Sequence, residues 1–104
     1  MRIPVKITLA GIDIEVVLDP LAVSEANFIG KADYVKQRII IDNTRAMKQT
    51  TEQSFCHELV HWILHIMGEY ALQQNEKFVE TFSQLLYQAI STSVWEIEEK
   101  EGSE

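Results

Sequence analysis

Through the first 43 residues apolar side chains partly alternate with polar ones, in runs rich in β-branched residues. Ile3 to Leu9 and Ile12 to Leu18 are two such runs, and Ala10-Gly11 between them predicts a hairpin of two strands. Asp19-Pro20 ends the second strand, and Leu21 to Ala26 reads as a short helical turn or a loop over the core. Asn27 to Tyr34 then leads through Val35-Lys36-Gln37-Arg38 into Ile39-Ile40-Ile41, which predicts a second hairpin, turning near Lys36-Gln37 and finishing at Asp42-Asn43.

Thr44 to Gln49 links this region to a stretch with helical spacing, Thr51 to Met67. Thr50 or Thr51 suits its N-cap, Gln53 stands three residues after Thr50 as a capping box requires, and Gly68 suits its end. Glu69 to Gln74 connects to a second helix, from about Asn75 to Thr92 or beyond. Its apolar face is expected to comprise Phe78, Val79, Phe82, Leu85, Leu86, Ala89 and Ile90, bordered by Glu76, Glu80, Ser83 and Tyr87. The expected fold class is therefore α+β: a small antiparallel sheet of two hairpins packed on one helix and followed by a second long helix. One domain of 104 residues is expected, with sheet in 1–43, helices in 50–68 and 75–95, and an acidic tail in 96–104.

The first helix is apolar nearly all round, at about 100° per residue, except for one narrow sector holding His57, Glu58, His61 and His65. Such a helix should be buried, and burying imidazoles and a carboxylate without partners costs several kcal/mol. His57-Glu58-Leu59-Val60-His61 is an HExxH pattern, in which two imidazoles one turn apart can grip one ion, and a bound cation resolves the conflict. The plainer alternative is a histidine-rich core helix whose rings bond to backbone.

A catalytic zinc takes three protein ligands and keeps one position open. His57 and His61 supply two. His65 follows His61 by four residues with no glycine turn between them, which places it at the rim rather than on the ion. Glu76 and Glu80, on the border of the next helix's apolar face, are placed to lean toward a neighbouring helix, and they and Glu69 in the connection are the candidates for a third ligand.

The formal charge of −7 argues against a nucleic-acid surface, which needs clustered Lys and Arg. Glu96, Glu98, Glu99, Glu101 and Glu104 against Lys100 supply −4 of it, so the remainder is only mildly acidic. Cys56 is the only cysteine, which rules out an intrachain disulfide and zinc-ribbon pairs. The start of the chain reads as a strand rather than a signal peptide, and no apolar run is long enough for a bilayer, so a cytoplasmic protein without membrane contact is expected. Trp62 and Trp95 leave open a third reading, a metal-free helical adaptor.

From Thr51 to Ile90 the chain resembles the gluzincin metallopeptidases, in which HExxH is completed by a glutamate from a second helix. More narrowly it is similar to the ImmA/IrrE group, on the strength of Glu76, Glu80, Phe82-Ser83 and Leu85-Leu86. It departs from that pattern at Glu80, where Asn or Asp is commoner, at Ser83 in place of Ala, and at Val60, where Gly is common.

The resemblance implies a minimal zincin-like fold, one Zn2+, ligands His57, His61 and Glu76, and Glu58 as general base. It makes Glu80 either a hydrogen-bond partner of His57 or the alternative ligand. It also implies a protein or peptide substrate, such as a regulatory protein of a phage or mobile element. A helper for the developing oxyanion is expected among Tyr70, Tyr34, Arg38 and His65. Extended substrate is expected to add as a strand along Arg38 to Asp42. The competing expectation is a zinc-stabilised interaction module with little or no turnover.

Overall fold

The computed structural model describes residues 1–19, 29–44 and 47–95. The expected turn at 21–26 and the acidic tail at 96–104 lie outside the described residues. The fold is α+β. Strand β1 (Lys6–Leu9) pairs antiparallel with β2 (Ile12–Leu18), Leu9 facing Ile12. The two turn residues, Ala10 and Gly11, both have positive φ, 51° and 79°, the conformation whose twist matches a two-residue hairpin. Strand β3 (Gly30–Asp33) pairs antiparallel with β4 (Arg38–Ile41). The Asp33 carboxylate closes that turn, accepting from the Lys36 N–H and from Arg38 Nη2, each at 3.1 Å. Those two donors hold its carboxyl below the usual range.

Both hairpins form as expected, but the sheet they build is mixed rather than wholly antiparallel. Its order is β1-β2-β4-β3, and β2 runs parallel to β4, Glu15 facing Arg38 and Leu18 facing Ile41. The reason lies in β4. Ile39, Ile40 and Ile41 are all buried, so this strand belongs inside the sheet, while Gly-Lys-Ala-Asp of β3 suits an edge. With β2 on one side and β3 on the other, β4 offers no free edge, and Arg38 to Asp42 cannot accept a substrate strand. The free edge beside the helices belongs to β3.

Helix α1 (Lys48–Met67) begins before the expected threonine caps. Its N-cap is Met47, and the buried Thr51 instead donates its hydroxyl to the Met47 carbonyl at 3.1 Å. A threonine with that partner one turn back belongs inside the helix and is not free to cap it. Gly68 ends α1 at φ 77°, its N–H donating to His65. One side of α1 packs Phe55, Cys56 and Trp62 against Ile14, Val16, Ile39 and Ile41 of the sheet, and Trp62 Nε1 donates to the Arg38 carbonyl at 3.1 Å. The other side packs Val60 and Leu64 against Val79.

A short helix α2 (Tyr70–Gln73) lies within the connection expected from Glu69 to Gln74. Helix α3 (Glu76–Ser91) follows, capped by Asn75, whose side chain accepts from the Phe78 N–H at 3.0 Å. Its packed stripe differs from the apolar face expected. Val79, Ser83 and Tyr87 are buried, whereas Phe82, Leu85 and Ile90 are 47%, 60% and 40% exposed. A polar contact with α1 goes with this rotation, Tyr87 donating to Glu52 at 2.8 Å, while buried Ser83 satisfies its hydroxyl on the Glu80 carbonyl of its own helix. No helix among the described residues is long and apolar enough to cross a membrane.

Glu52 is buried, and burial alone would raise its pKa. The Tyr87 hydroxyl and the α-amino group of Met1, 3.4 Å away, outweigh burial and hold it below the ordinary 4.5. Tyr87→Phe should cost about 1–3 kcal/mol near neutral pH. Because the folded pKa is depressed, this stabilisation is complete above the unfolded value and is lost as pH falls through the folded one. Urea unfolding of both proteins at neutral and strongly acid pH checks this, and an undiminished difference in acid would contradict it.

Candidate metal centre

The HExxH residues occupy consecutive turns of α1 where it faces both β3 and α3. His57 and His61 stand one above the other, ring centroids 5.0 Å apart, as i and i+4 residues must. Glu76, first residue of α3, reaches across. One carboxylate oxygen lies 3.3 Å from His57 Nε2 and the other 3.3 Å from His61 Nε2. One donor atom from each residue falls within 4.8 Å of the other two, a group that could hold a metal ion.

The far nitrogens of both rings are committed as well. His57 Nδ1 lies 2.8 Å from Glu80 Oε1, and a carboxylate can only accept, so Nδ1 carries the proton. His61 Nδ1 lies 3.0 Å from Gln73 Oε1. With Nδ1 protonated on each ring, the inward Nε2 atoms present lone pairs to a carboxylate. Lone pairs and anionic oxygens at 3.3 Å repel unless positive charge lies among them. Protons on both Nε2 atoms would supply it, but would place like charges at i and i+4, one of them on buried His61. One divalent cation supplies it without that repulsion. Two imidazoles and a carboxylate are also the donors zinc takes in catalytic sites, and the residues fit the ion.

Glu58 points to the other side of His57, toward β3. The Asp42 N–H donates to the Ile29 carbonyl, so by alternation Lys31 and Asp33 face β4 while Gly30 and Ala32 face outward. The Ala32 N–H reaches the Glu58 carboxylate. Burial raises the Glu58 pKa to about 7, with Glu76 adding to the rise and His57 and the Ala32 N–H opposing it. Gly30 permits this approach: a Cβ there would stand 3.1 Å from both Glu58 Cγ and Ile41 Cδ1.

Compared with models of known protein families, with curated proteins and with solved structures, the chain matches none. The centre therefore stands on its own geometry.

The structure brings His57, His61 and Glu76 together and sets Glu80 on the outer nitrogen of His57. Glu69 is exposed and caps α2 outside the cluster. His65 lies outside it too, stacked on Tyr34 with centroids 4.0 Å apart and edge-on to Tyr70 at 6.0 Å. Among the residues expected to help an oxyanion, Arg38 is paired with Asp33 and Tyr70 is largely exposed. Tyr34 lies within electrostatic reach of Glu58 and Glu76. Burial, then those two carboxylates, push its pKa up to about 12, so it remains a hydroxyl donor.

Sequence reasoning missed Gln73 and Gly30. Gln73 sits in a segment with no periodicity, and only its place three residues before Glu76 hinted at a shared site. Gly30 is a lone glycine in a strand, a known mark of close backbone approach.

The purified protein should bind one zinc per chain, and zinc at about a hundredfold over its Kd should stabilise it by about 2.7 kcal/mol. Glu76→Ala should remove most of that gain. Glu80→Gln and Gln73→Leu should weaken binding about 10- to 100-fold, as expected of groups that orient ligand histidines. Calorimetric titration and thermal melts with and without chelator test this, and unchanged affinity in Glu76→Ala would exclude Glu76 as a ligand.

Proposed function

We propose that the chain is a zinc-dependent peptidase, and the observation that carries this reading is the convergence of His57, His61 and Glu76 beside a separately held Glu58. When bound, zinc supplies Lewis acidity, activating water and polarising a carbonyl. Glu58 is the general base. It accepts a proton from the attacking water at a carboxylate oxygen and passes it to the leaving amine. The Ala32 N–H steadies that carboxylate, and Gly30 leaves it room. Glu80 and Gln73 hold the two imidazoles with Nε2 inward. The Tyr34 hydroxyl, fixed by its stack on His65, is the donor for the oxygen on which negative charge develops.

The outer edge of β3 is the track for an extended substrate, because it runs past Glu58. The reading includes a protein substrate and a cytoplasmic setting, without direct nucleic-acid contact. The resemblance to the ImmA/IrrE group supports a regulatory protein of a phage or mobile element as target.

A second reading, a zinc-stabilised interaction module, is favoured by the exposed Phe82, Leu85 and Ile90 on α3. It gives Glu58 no duty. Zinc-loaded protein incubated with a mixture of denatured proteins separates the two. The peptidase reading predicts new termini by mass spectrometry, lost at least about 100-fold in Glu58→Gln while zinc binding persists. Equal cleavage by Glu58→Gln would remove that residue from the chemistry, and no cleavage by either protein would favour the module.

A further inference from the structure

Beside the candidate centre, where the start of β3 faces the first turns of α1, lies a cleft of about 430 Å³. Ile29 and Gly30 form one wall, Thr50, Gln53 and Ser54 the other, and Glu80 the end toward α3. His57 and Glu58 connect it to the centre. The side chains of Thr50, Gln53 and Ser54, which line it, make no hydrogen bond among the described residues, so two hydroxyls and an amide are available to an occupant. An apolar occupant would strip these groups of water without replacing its hydrogen bonds.

Charge narrows the choice further. No lysine or arginine lines the cleft among the described residues. The carboxylate of Glu80 stands at its end, where it accepts from His57, so the lining is acidic rather than basic. An acidic occupant would be repelled by Glu58 and Glu80 across a partly desolvated space. Both Glu80 oxygens already accept, from His57 and from Gln84 Nε2 at 2.7 Å, yet a carboxylate has about four lone-pair sites and can accept again. Hydroxyl and amide oxygens with a carboxylate at the end form an acceptor set for ammonium or guanidinium donors.

We propose that this cleft receives a lysine or arginine side chain of the substrate and thereby selects which peptide bond is presented beside Glu58. The inference rests on the peptidase reading, and it makes Gln53, Thr50 and Ser54 the residues that set specificity. A cationic side chain lying along α1 donates to the two hydroxyls and the amide oxygen, while its charge is balanced by Glu80.

The test uses ¹⁵N-labelled, zinc-loaded full chain titrated with blocked pentapeptides of alanine carrying Lys, Arg, Leu or Asp at the centre. Backbone amide shifts report binding, and the peptide's own signals in the same tube report hydrolysis. Lys and Arg peptides should shift Gly30, Thr50, Gln53 and Ser54 and bind about fivefold tighter than the Leu peptide, the gain of one well-placed charge pair. The Asp peptide should bind weakest. Gln53→Lys should erase the preference, and Ser54→Lys is the second variant should the first fail to give a folded spectrum.

Equal affinity for Lys and Leu peptides, shifts confined to other amides, or no binding by any peptide would overturn the cleft assignment. Hydrolysis without a cationic preference would overturn it while sparing the peptidase reading. Selective binding without hydrolysis would sustain the cleft and count against the peptidase.

Discussion

A single carboxylate facing two imidazole nitrogens is the constraint on which the helical half of the molecule depends. Glu76 is the first residue of α3 after its Asn75 cap, and its reach to both His57 and His61 goes with the way that helix is turned. Four residues on, Glu80 meets the outer nitrogen of His57; eleven on, Tyr87 meets buried Glu52. All three contacts fall on the stripe that faces α1. Apolar burial follows this polar ladder rather than directing it, since Val79 and Tyr87 are enclosed while Phe82 and Leu85 remain exposed.

The sheet serves the same centre from the other side. A strand of three consecutive isoleucines is most stable with neighbours on both edges, and placing β4 inside pushes the glycine-bearing β3 outward. Only there can a backbone N–H, that of Ala32, come up to Glu58. Glu58 and the two histidines thus share one helix but take their support from different layers. Glu58 depends on the sheet, and the histidines depend on α2 and α3.

Much of this was legible in the order of residues. Two hairpins, a helix with one polar seam and a following helix with acidic residues near its start all announce themselves by period and by turn residues. The pairing of β2 with β4 was not legible, because sequential hairpins leave open which of their strands become neighbours. The start of α1 was misread because Thr51 has two ways to satisfy its hydroxyl, and propensity does not distinguish a cap from a bond to the preceding turn. The face of α3 was misread for a related reason. Its apolar face borders directly on the stripe of Glu76, Glu80, Ser83 and Tyr87, and the polar contacts of Glu76, Glu80 and Tyr87 go with the rotation observed. Gln73 carried only the hint of its nearness to Glu76, because a four-residue helix has no periodic signal.

The central claim is that the two inward nitrogens are unprotonated and meet a cation. Long-range ¹H–¹⁵N spectra of the histidine rings at neutral pH, with and without one equivalent of zinc, test it most directly. The account predicts that zinc moves Nε2 of His57 and His61 to metal-bound positions with Nδ1 still protonated, while the ring of His65 is unmoved. Rings of His57 and His61 that are doubly protonated and indifferent to zinc would show an ion pair with Glu76 in place of a metal centre, and would contradict it.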